Sequence, residues 1–235
     1  MTTVPPAPSW TVVSVLQRSY EIAKENFAAF VTITLIASAV SVVAELLGLL
    51  LLVWAVGIVA GAASTICITW GTLQAMDGRR PGWEPMLRQL QGPLAGRLLL
   101  LGVVQWIVIS VSSLLLLIPP LFLLPMWAVT IPAMMVERLE MGAAFQRSID
   151  LTRDRRLPIL GAFVLWFVLF AVGAAVLIAL LGHGGLGRFV MLVYGALAWT
   201  VLYPLPAIFY VLLREEKEGT SVPEIAAALD EGTAP

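Results

Sequence analysis

The chain has 235 residues, of which 60% are hydrophobic and only 12% are charged, and its formal net charge is −1. Soluble globular domains carry about 25% charged residues, so this composition excludes an ordinary soluble domain, and no nucleic-acid partner is expected. A membrane-spanning helix needs about 20 apolar residues, so the length accommodates about six spans and leaves none for a separate catalytic domain. We therefore expect an all-α integral membrane protein that forms a single membrane domain over residues 1–235.

The chain begins with a polar segment, residues 9–26, that precedes the first apolar run. It carries Gln17, Arg18, Glu21, Lys24 and Glu25 on one helical arc, which predicts an amphipathic helix lying at the membrane surface. The basic and acidic members are three residues apart, so ion pairs along the helix are expected. No lysine or arginine comes before this helix, which is unlike a cleavable signal peptide, and the first span is expected to remain as an anchor.

Residues 27–76 are predicted to form the first helical hairpin, with spans from Phe27 to Leu47 and from Leu50 to Leu73. The first span carries a stripe of polar residues at spacings of four, three and four: Thr34, Ser38, Ser41 and Glu45. An intramembrane acid on a polar face could line a pathway, but serine and threonine also serve as small packing residues, and Glu45 lies near the end of the span. In the second span, the spacing of Gly57 and Gly61 permits close helix approach.

Residues 83–136 repeat the arrangement, with a short helix followed by spans from Leu98 to Leu117 and from Pro120 to Val136. Pro119 and Pro120 are expected to stop the third span and open the fourth, because proline is tolerated in a first helical turn. Pro125 and Pro132 predict a kink in the fourth span.

Residues 141–213 form the third unit, which starts with "FQRSIDLTRDRR" and continues into spans from Pro158 to Leu181 and from Phe189 to Leu213. The order Gln-Arg-Ser, acid, base, acid also occurs in "LQRSYEIAKEN", from Leu16 to Asn26, so we predict a second interfacial helix of the same kind. Its arginines are candidates for contact with lipid headgroups or a partner, and a solvated helix face is the alternative; they are Arg147, Arg153, Arg155 and Arg156. Pro204 and Pro206 predict a kink in the sixth span.

The last segment, residues 214–235, is acidic. Ser221 and Glu224 have the spacing of a capping box, and Val222, Ile225 and Leu229 could form the apolar edge of a short helix. This helix would dock on the basic loops of the same chain or on a partner.

The basic residues are strongly segregated, since 13 of the 14 fall on one side of the predicted spans and only Arg188, in the short fifth-to-sixth connection, falls on the other. Under the positive-inside rule this places both termini in the cytoplasm and points all three hairpins outward. We expect a multi-pass protein of a bacterial inner membrane.

The run "VERLEMGAAFQRSIDLTRDRRLPILG" resembles a broad group of bacterial membrane proteins related to the membrane domain of glycerophosphoryl diester phosphodiesterases. The matching positions are Glu137, Ala144, Arg147, Ser148, Leu151, Thr152, Arg153 and Arg156, and Asp154 stands where the group usually has glycine. The resemblance covers most of the chain. It implies six helices and little about activity, and the phosphodiesterase domain itself is absent.

No catalytic or cofactor-binding motif is present: Cys67 and His183 are the sole cysteine and histidine, and there is no phosphate-binding loop or dinucleotide fingerprint. We expect a non-enzymatic scaffold or accessory subunit of a membrane complex, without cofactor or metal. Its expected partners are membrane lipids and a larger membrane-protein complex or a second copy of the chain. The alternative is a small transporter or permease component that uses the polar stripe of the first span.

Overall fold

The protein is described by a computed structural model that covers residues 10–46, 50–115, 118–182 and 184–230. These residues form an all-helical bundle. In chain order the helices are α1 (Val12–Glu25), α2 (Phe27–Leu46), α3 (Leu50–Met76), α4 (Trp83–Arg88), α5 (Ala95–Leu115), α6 (Ile118–Met126), α7 (Thr130–Glu137), α8 (Met141–Thr152), α9 (Arg156–Leu181), α10 (Gly185–Leu202), α11 (Leu205–Glu218) and α12 (Val222–Asp230).

In the described part of the chain, five helical segments are long and apolar enough to cross a membrane: α3, α5, the pair α6 and α7, α9, and the pair α10 and α11. The pair α1 and α2 qualifies as a sixth if it is counted as one span, but it bends by 91°. The bend falls at Asn26, whose side-chain amide donates to the Ile22 carbonyl at 3.0 Å. The polar helix α1 thus runs almost perpendicular to the apolar helix α2.

Both proline-rich spans are interrupted, as the sequence predicts. The fourth span breaks between Met126 and Thr130, and the sixth breaks between Leu202 and Leu205. Pro132 and Pro206 follow the breaks and have no N–H, and at the fourth-span break the amide of Thr130 bonds to the Trp127 carbonyl instead of continuing the regular ladder to Met126. Each break therefore leaves backbone carbonyls that need other donors.

The repeated Gln-Arg-Ser sequence supplies two of these donors. Ser19 in α1 donates to the Val201 carbonyl at the sixth-span break, with an oxygen–oxygen distance of 2.5 Å. Ser148 in α8 donates to the Met126 carbonyl at the fourth-span break, at 2.8 Å. Both serines are fully buried. The predicted polar arc of α1 lies opposite, with Gln17, Glu21 and Lys24 exposed.

The predicted ion pairs along α1 and α8 are not the ones that form. No salt bridge joins Arg18, Glu21 and Lys24 within the described residues. Arg147 reaches acids on other helices, and Asp150 accepts from Gln146. A tertiary partner at a half-buried position is less hydrated than an exposed neighbour on the same helix, which favours the longer-range pairing.

The acidic C-terminal segment docks on its own chain, which was one of the two predicted outcomes. The backbone amide of Ser221 donates to the Glu224 carboxylate at 2.8 Å, and this bond holds the pKa of Glu224 below its ordinary value. Ile225 and Leu229 are buried, and Asp230 accepts from Arg79 at 2.6 Å. The tail helix is therefore anchored by apolar contacts and by one of the basic loops.

Candidate functional site

A cleft of about 860 Å³ opens between α2, α3 and α10 in the half of the bundle opposite the charged helices. Its volume is in the usual range of small-molecule sites, about 300–1,000 Å³. Three members of the predicted polar stripe, Thr34, Ser38 and Ser41, line the α2 wall. The fourth, Glu45, has its side chain outside the described residues, as does His183.

The hydroxyl groups of the stripe donate to carbonyls of their own helix. Ser38 bonds to the Thr34 carbonyl at 2.8 Å, Ser41 to the Ala37 carbonyl at 3.1 Å, and Thr34 to the Val31 carbonyl at 3.1 Å. Their protons are engaged, but each oxygen keeps acceptor capacity. The α2 wall therefore presents hydrogen-bond acceptors to the cleft.

Arg188 stands in the first turn of α10 and lines the same cleft. It is the basic residue that the charge pattern placed apart from the other 13. Its side chain is exposed, and no hydrogen bond or ion pair engages it among the residues that the structure describes. Within the described residues, the cleft therefore has a positive charge at its edge and no carboxylate on its lining.

Gly57 and Gly61 face the cleft and do not form a tight helix contact. A methyl group added to Gly57 would meet nothing within 4 Å, and one added to Gly61 would lie 3.8 Å from the indole nitrogen of Trp106. The close approach of α3 instead occurs at Ala62, whose Cβ lies 2.9 Å from the position that a Cβ on Gly102 of α5 would take. The glycine spacing permits a close helix approach, within the bundle or between protomers; within this chain the two glycines line the cleft instead.

A second cavity, of about 810 Å³, lies behind the first between α5, α6 and α9, and we call it the apolar chamber. Four residues line both the cleft and the chamber: Trp106, Ser110, Trp199 and Tyr203. The ring centres of Trp106 and Trp199 are 6.4 Å apart, and those of Trp199 and Tyr203 are 5.4 Å apart. Trp199 and Tyr203 thus pack on each other and lie between the two cavities.

The other end of the bundle holds the predicted arginine cluster. Arg147 donates to Glu137 at 2.8 Å and pairs with Glu218 at 2.5 Å. Burial by itself lowers the pKa of Arg147, but its hydrogen bonds to the two carboxylates outweigh this and raise the pKa. Glu137 also accepts from Tyr210 at 2.8 Å and from Arg214 at 3.1 Å. Two arginines and two glutamates thus form a neutral network among α7, α8 and α11.

Arg155 is also paired within the chain. It donates to Glu216, which accepts a further bond from the Trp10 indole at 3.1 Å, and its guanidinium lies 5.5 Å from the centre of the Trp10 ring. The hydrogen bond to Glu216 raises the pKa of Arg155. Arg153 is exposed, and Arg156 is half-buried. The structure thus brings Arg147 and Arg155 into intramolecular networks, and contact of the cluster with lipid headgroups stays a prediction.

Sequence reasoning missed Glu137, Tyr210 and Arg214 as one network, because they lie on two helices that are distant in the chain. It also missed the roles of Ser19 and Ser148, for which the repeat itself was the available signal. Within the described residues, no group of three metal-ligating side chains occurs.

No protein-family model matches the chain, and neither a curated protein nor a solved structure does. The helices establish its class: the described part of the chain is all-α, and its apolar segments are those of a multi-pass membrane protein.

Proposed function

We propose that this chain is a small transporter or permease component that binds an amphipathic molecule in the cleft between α2, α3 and α10. The observation that carries the proposal is the combination of an open cleft of about 860 Å³, acceptor oxygens along one wall, and Arg188 without a partner in the described structure. The proposed role is binding and passage, without catalysis.

The proposal includes a topology of six spans arranged as three outward-pointing hairpins in a bacterial inner membrane, with both termini in the cytoplasm. The segregation of 13 basic residues from Arg188 supports this orientation. The 91° bend between α1 and α2 supports an α1 helix that lies along the cytoplasmic surface. In this orientation the cleft opens in the outer half of the membrane. The relation to the membrane domain of glycerophosphoryl diester phosphodiesterases remains a prediction from the sequence.

Thiol labelling tests whether the cleft binds an amphiphile. Cys67 is fully buried, so a cysteine introduced at Ser38 would be the accessible thiol. In neutral-lipid nanodiscs, we expect a polar maleimide to modify Ser38→Cys, because only a hydrated thiol ionises and reacts. We expect dodecyl phosphate, a single-chain amphipathic anion, to protect it.

Ala39→Cys is the matched control, because Ala39 is exposed on the adjacent face of α2 and does not line the cleft. It should react slowly, since a lipid-facing thiol stays protonated. Arg80→Cys, on an exposed loop, should react without protection by dodecyl phosphate. Failure of Ser38→Cys to react, or reaction without protection, would contradict the binding role.

Glu45 is tested separately by flux. If the polar stripe forms the pathway, Glu45→Gln should abolish movement of the amphiphile across proteoliposome membranes, and Ser38→Cys after maleimide modification should do the same. An unchanged flux in Glu45→Gln would remove this residue from the mechanism.

An accessory-subunit role is the second candidate, and it is favoured by the exposure of α9. Only 6% of the most apolar window of this helix is buried within the chain, and Val168 and Val172 are 52% and 58% exposed. A stoichiometric partner that co-purifies after mild solubilisation and is lost in Val172→Trp, but not in Val111→Trp on α5, would support it. A partner-free, monodisperse protein would count against it.

A further inference from the structure

We propose that the cleft and the apolar chamber form one site for an anionic phospholipid, with the phosphate at Arg188 and an acyl chain that passes the Trp106, Trp199 and Tyr203 cluster into the chamber. This inference rests on the proposed function of the cleft, and it names the class of ligand and the path of its chain.

The chamber has the lining that an acyl chain requires. Its walls are mostly apolar side chains of the spans and include Leu121, Leu124, Ile131, Phe163 and Phe167. Besides the aromatic residues that it shares with the cleft, its polar lining residues are Thr65, Gln105 and Ser110. Thr65 donates to the Gly61 carbonyl at 2.8 Å, and the Gln105 amide donates one hydrogen bond to the Trp127 carbonyl at 3.0 Å, while its oxygen, an acceptor, makes no hydrogen bond with the described residues. A soluble anion would find little to bind there, whereas a hydrocarbon chain loses no hydration on entering.

The cleft has the charge that an anionic headgroup requires. Arg188 is the charged residue among the described lining residues, and no described carboxylate neutralises it there. A guanidinium can bind a phosphate through two parallel hydrogen bonds. The acceptor oxygens of Thr34, Ser38 and Ser41 suit the hydroxyl groups of a glycerol headgroup.

The two cavities adjoin at the aromatic cluster, which gives the chain its route. Trp106 contributes to both linings, and its indole nitrogen faces the open position beside Gly61. This N–H makes no hydrogen bond with the residues that the structure describes and could donate to an ester carbonyl, which in a phospholipid lies between phosphate and acyl chain. The order charge, N–H donor, apolar chamber thus follows the order of groups in the lipid.

The occupant is a membrane lipid rather than a soluble phosphate ester, because the polar cleft and the apolar chamber share lining residues and both lie between the apolar helices. A lipid with a zwitterionic headgroup carries its own ammonium group, which Arg188 would repel. The site should therefore prefer phosphatidylglycerol over phosphatidylcholine.

Photo-crosslinking in nanodiscs of unlabelled phosphatidylcholine tests this. Two probes with the same diazirine-bearing acyl chain are compared, one a phosphatidylglycerol and the other a phosphatidylcholine, and labelled residues are mapped by mass spectrometry. We expect the phosphatidylglycerol probe to label Phe163, which is 7% exposed and lines the chamber, in a saturable manner. Arg188→Gln should lower this labelling about tenfold, the order expected from the loss of one charge-assisted hydrogen bond. Arg80→Gln, an exposed arginine outside the cleft, should leave it unchanged.

Ala171→Trp, which would fill the chamber, should abolish Phe163 labelling by both probes while dodecyl phosphate still protects Ser38→Cys. Leu169→Trp, at a 60% exposed position outside the chamber, is the control for Ala171→Trp. It should change neither the labelling of Phe163 nor the protection of Ser38→Cys. If the two probes label Phe163 equally and Arg188→Gln does not change that labelling, the headgroup assignment is overturned and the labelling comes from bulk lipid only. Labelling of cleft residues without Phe163 would overturn the chain path and leave the proposed cleft function standing. Absence of saturable labelling together with absence of Ser38→Cys protection would overturn both.

Discussion

Ser19 and Ser148 show what the repeated sequence phrase does. Both belong to a Gln-Arg-Ser triplet, and both turn away from the polar face to donate to a carbonyl at the break of a proline-rich span. At the fourth-span break, the amide of Thr130 bonds to Trp127, which leaves the Met126 carbonyl for Ser148. In each triplet, the glutamine and arginine belong to the polar face of the helix, and the serine is a buried hydrogen-bond donor.

Ser148→Ala is expected to lower the free energy of unfolding by about 1–3 kcal/mol, because it leaves the Met126 carbonyl and the Val129 amide without their partner in a buried place. Thermal unfolding in detergent micelles, followed by tryptophan fluorescence, measures the change. Ser38→Ala is the control, since the Thr34 carbonyl keeps its helical amide donor and the change should be smaller. Equal destabilisation by the two variants would contradict the assigned role of Ser148.

The site was partly predictable at the level of single residues. The spacing of Thr34, Ser38 and Ser41 places them on one face of a helix whatever surrounds it, and the structure puts that face on a cleft wall. Arg188 was visible only as the exception in the charge pattern, because its relation to the stripe depends on how α10 packs beside α2. The role of Trp106 could not be predicted, because an aromatic residue in an apolar span is ordinarily a packing residue and its neighbours are known only from the structure.

Charged residues of α7, α8 and α11 form a network that joins these three helices at the end of the bundle opposite the cleft. The side chains of Arg147, Glu137 and Arg214 are 26%, 20% and 17% exposed, so the charges are partly removed from water. Loss of one partner therefore leaves a partly buried charge without compensation. Removing that partner lowers the free energy of unfolding by more than the intact pair adds to it.

Glu137→Gln is expected to destabilise the protein by roughly 2–3 kcal/mol, somewhat less than for a fully buried pair, because Arg147 and Arg214 would then share Glu218 alone. Glu140→Gln removes an exposed acid that pairs with Arg97 at 3.4 Å and should cost less than about 0.5 kcal/mol. Chemical denaturation in micelles would measure both. A change in Glu137→Gln no larger than that in Glu140→Gln would show that the network does not hold these helices together.

The helices themselves were largely predictable, since apolar length identifies spans and proline marks their breaks. The partners of the charged residues were not. Intrahelical spacing indicated ion pairs along α1 and α8, but Arg147 pairs with Glu137 and Glu218, which come from α7 and α11. Helical periodicity shows which residues share a face, and only tertiary packing decides what that face meets.

The three units of the chain pack in a cyclic order. The leading helix α1 bonds to the second span of the third unit, and α8 bonds to the second span of the second unit. The leading helix α4 packs on the second span of the first unit, where Met86 lies 2.9 Å from the position of a Cβ on Gly71. Each leading helix thus rests on the preceding unit, which accounts for the recurrence of the pattern in the sequence.

The proposed topology predicts opposite accessibility for two arginine positions. A membrane-impermeant maleimide should modify Arg188→Cys in intact bacterial cells and Arg80→Cys only in inside-out vesicles, because the charge pattern places them on opposite sides. Cys67 is buried and should give no background. The reverse labelling pattern would overturn the orientation and place the cleft in the inner half of the membrane.

A crystal structure of the protein grown from a lipidic mesophase doped with phosphatidylglycerol would test the central claim most directly. The account predicts continuous density with a phosphate beside Arg188, a carbonyl near the Trp106 indole and a chain that ends among Phe163 and Phe167 in the chamber. Density that stays on the outer surface of the bundle, with the cleft and the chamber closed by repacked side chains, would contradict it.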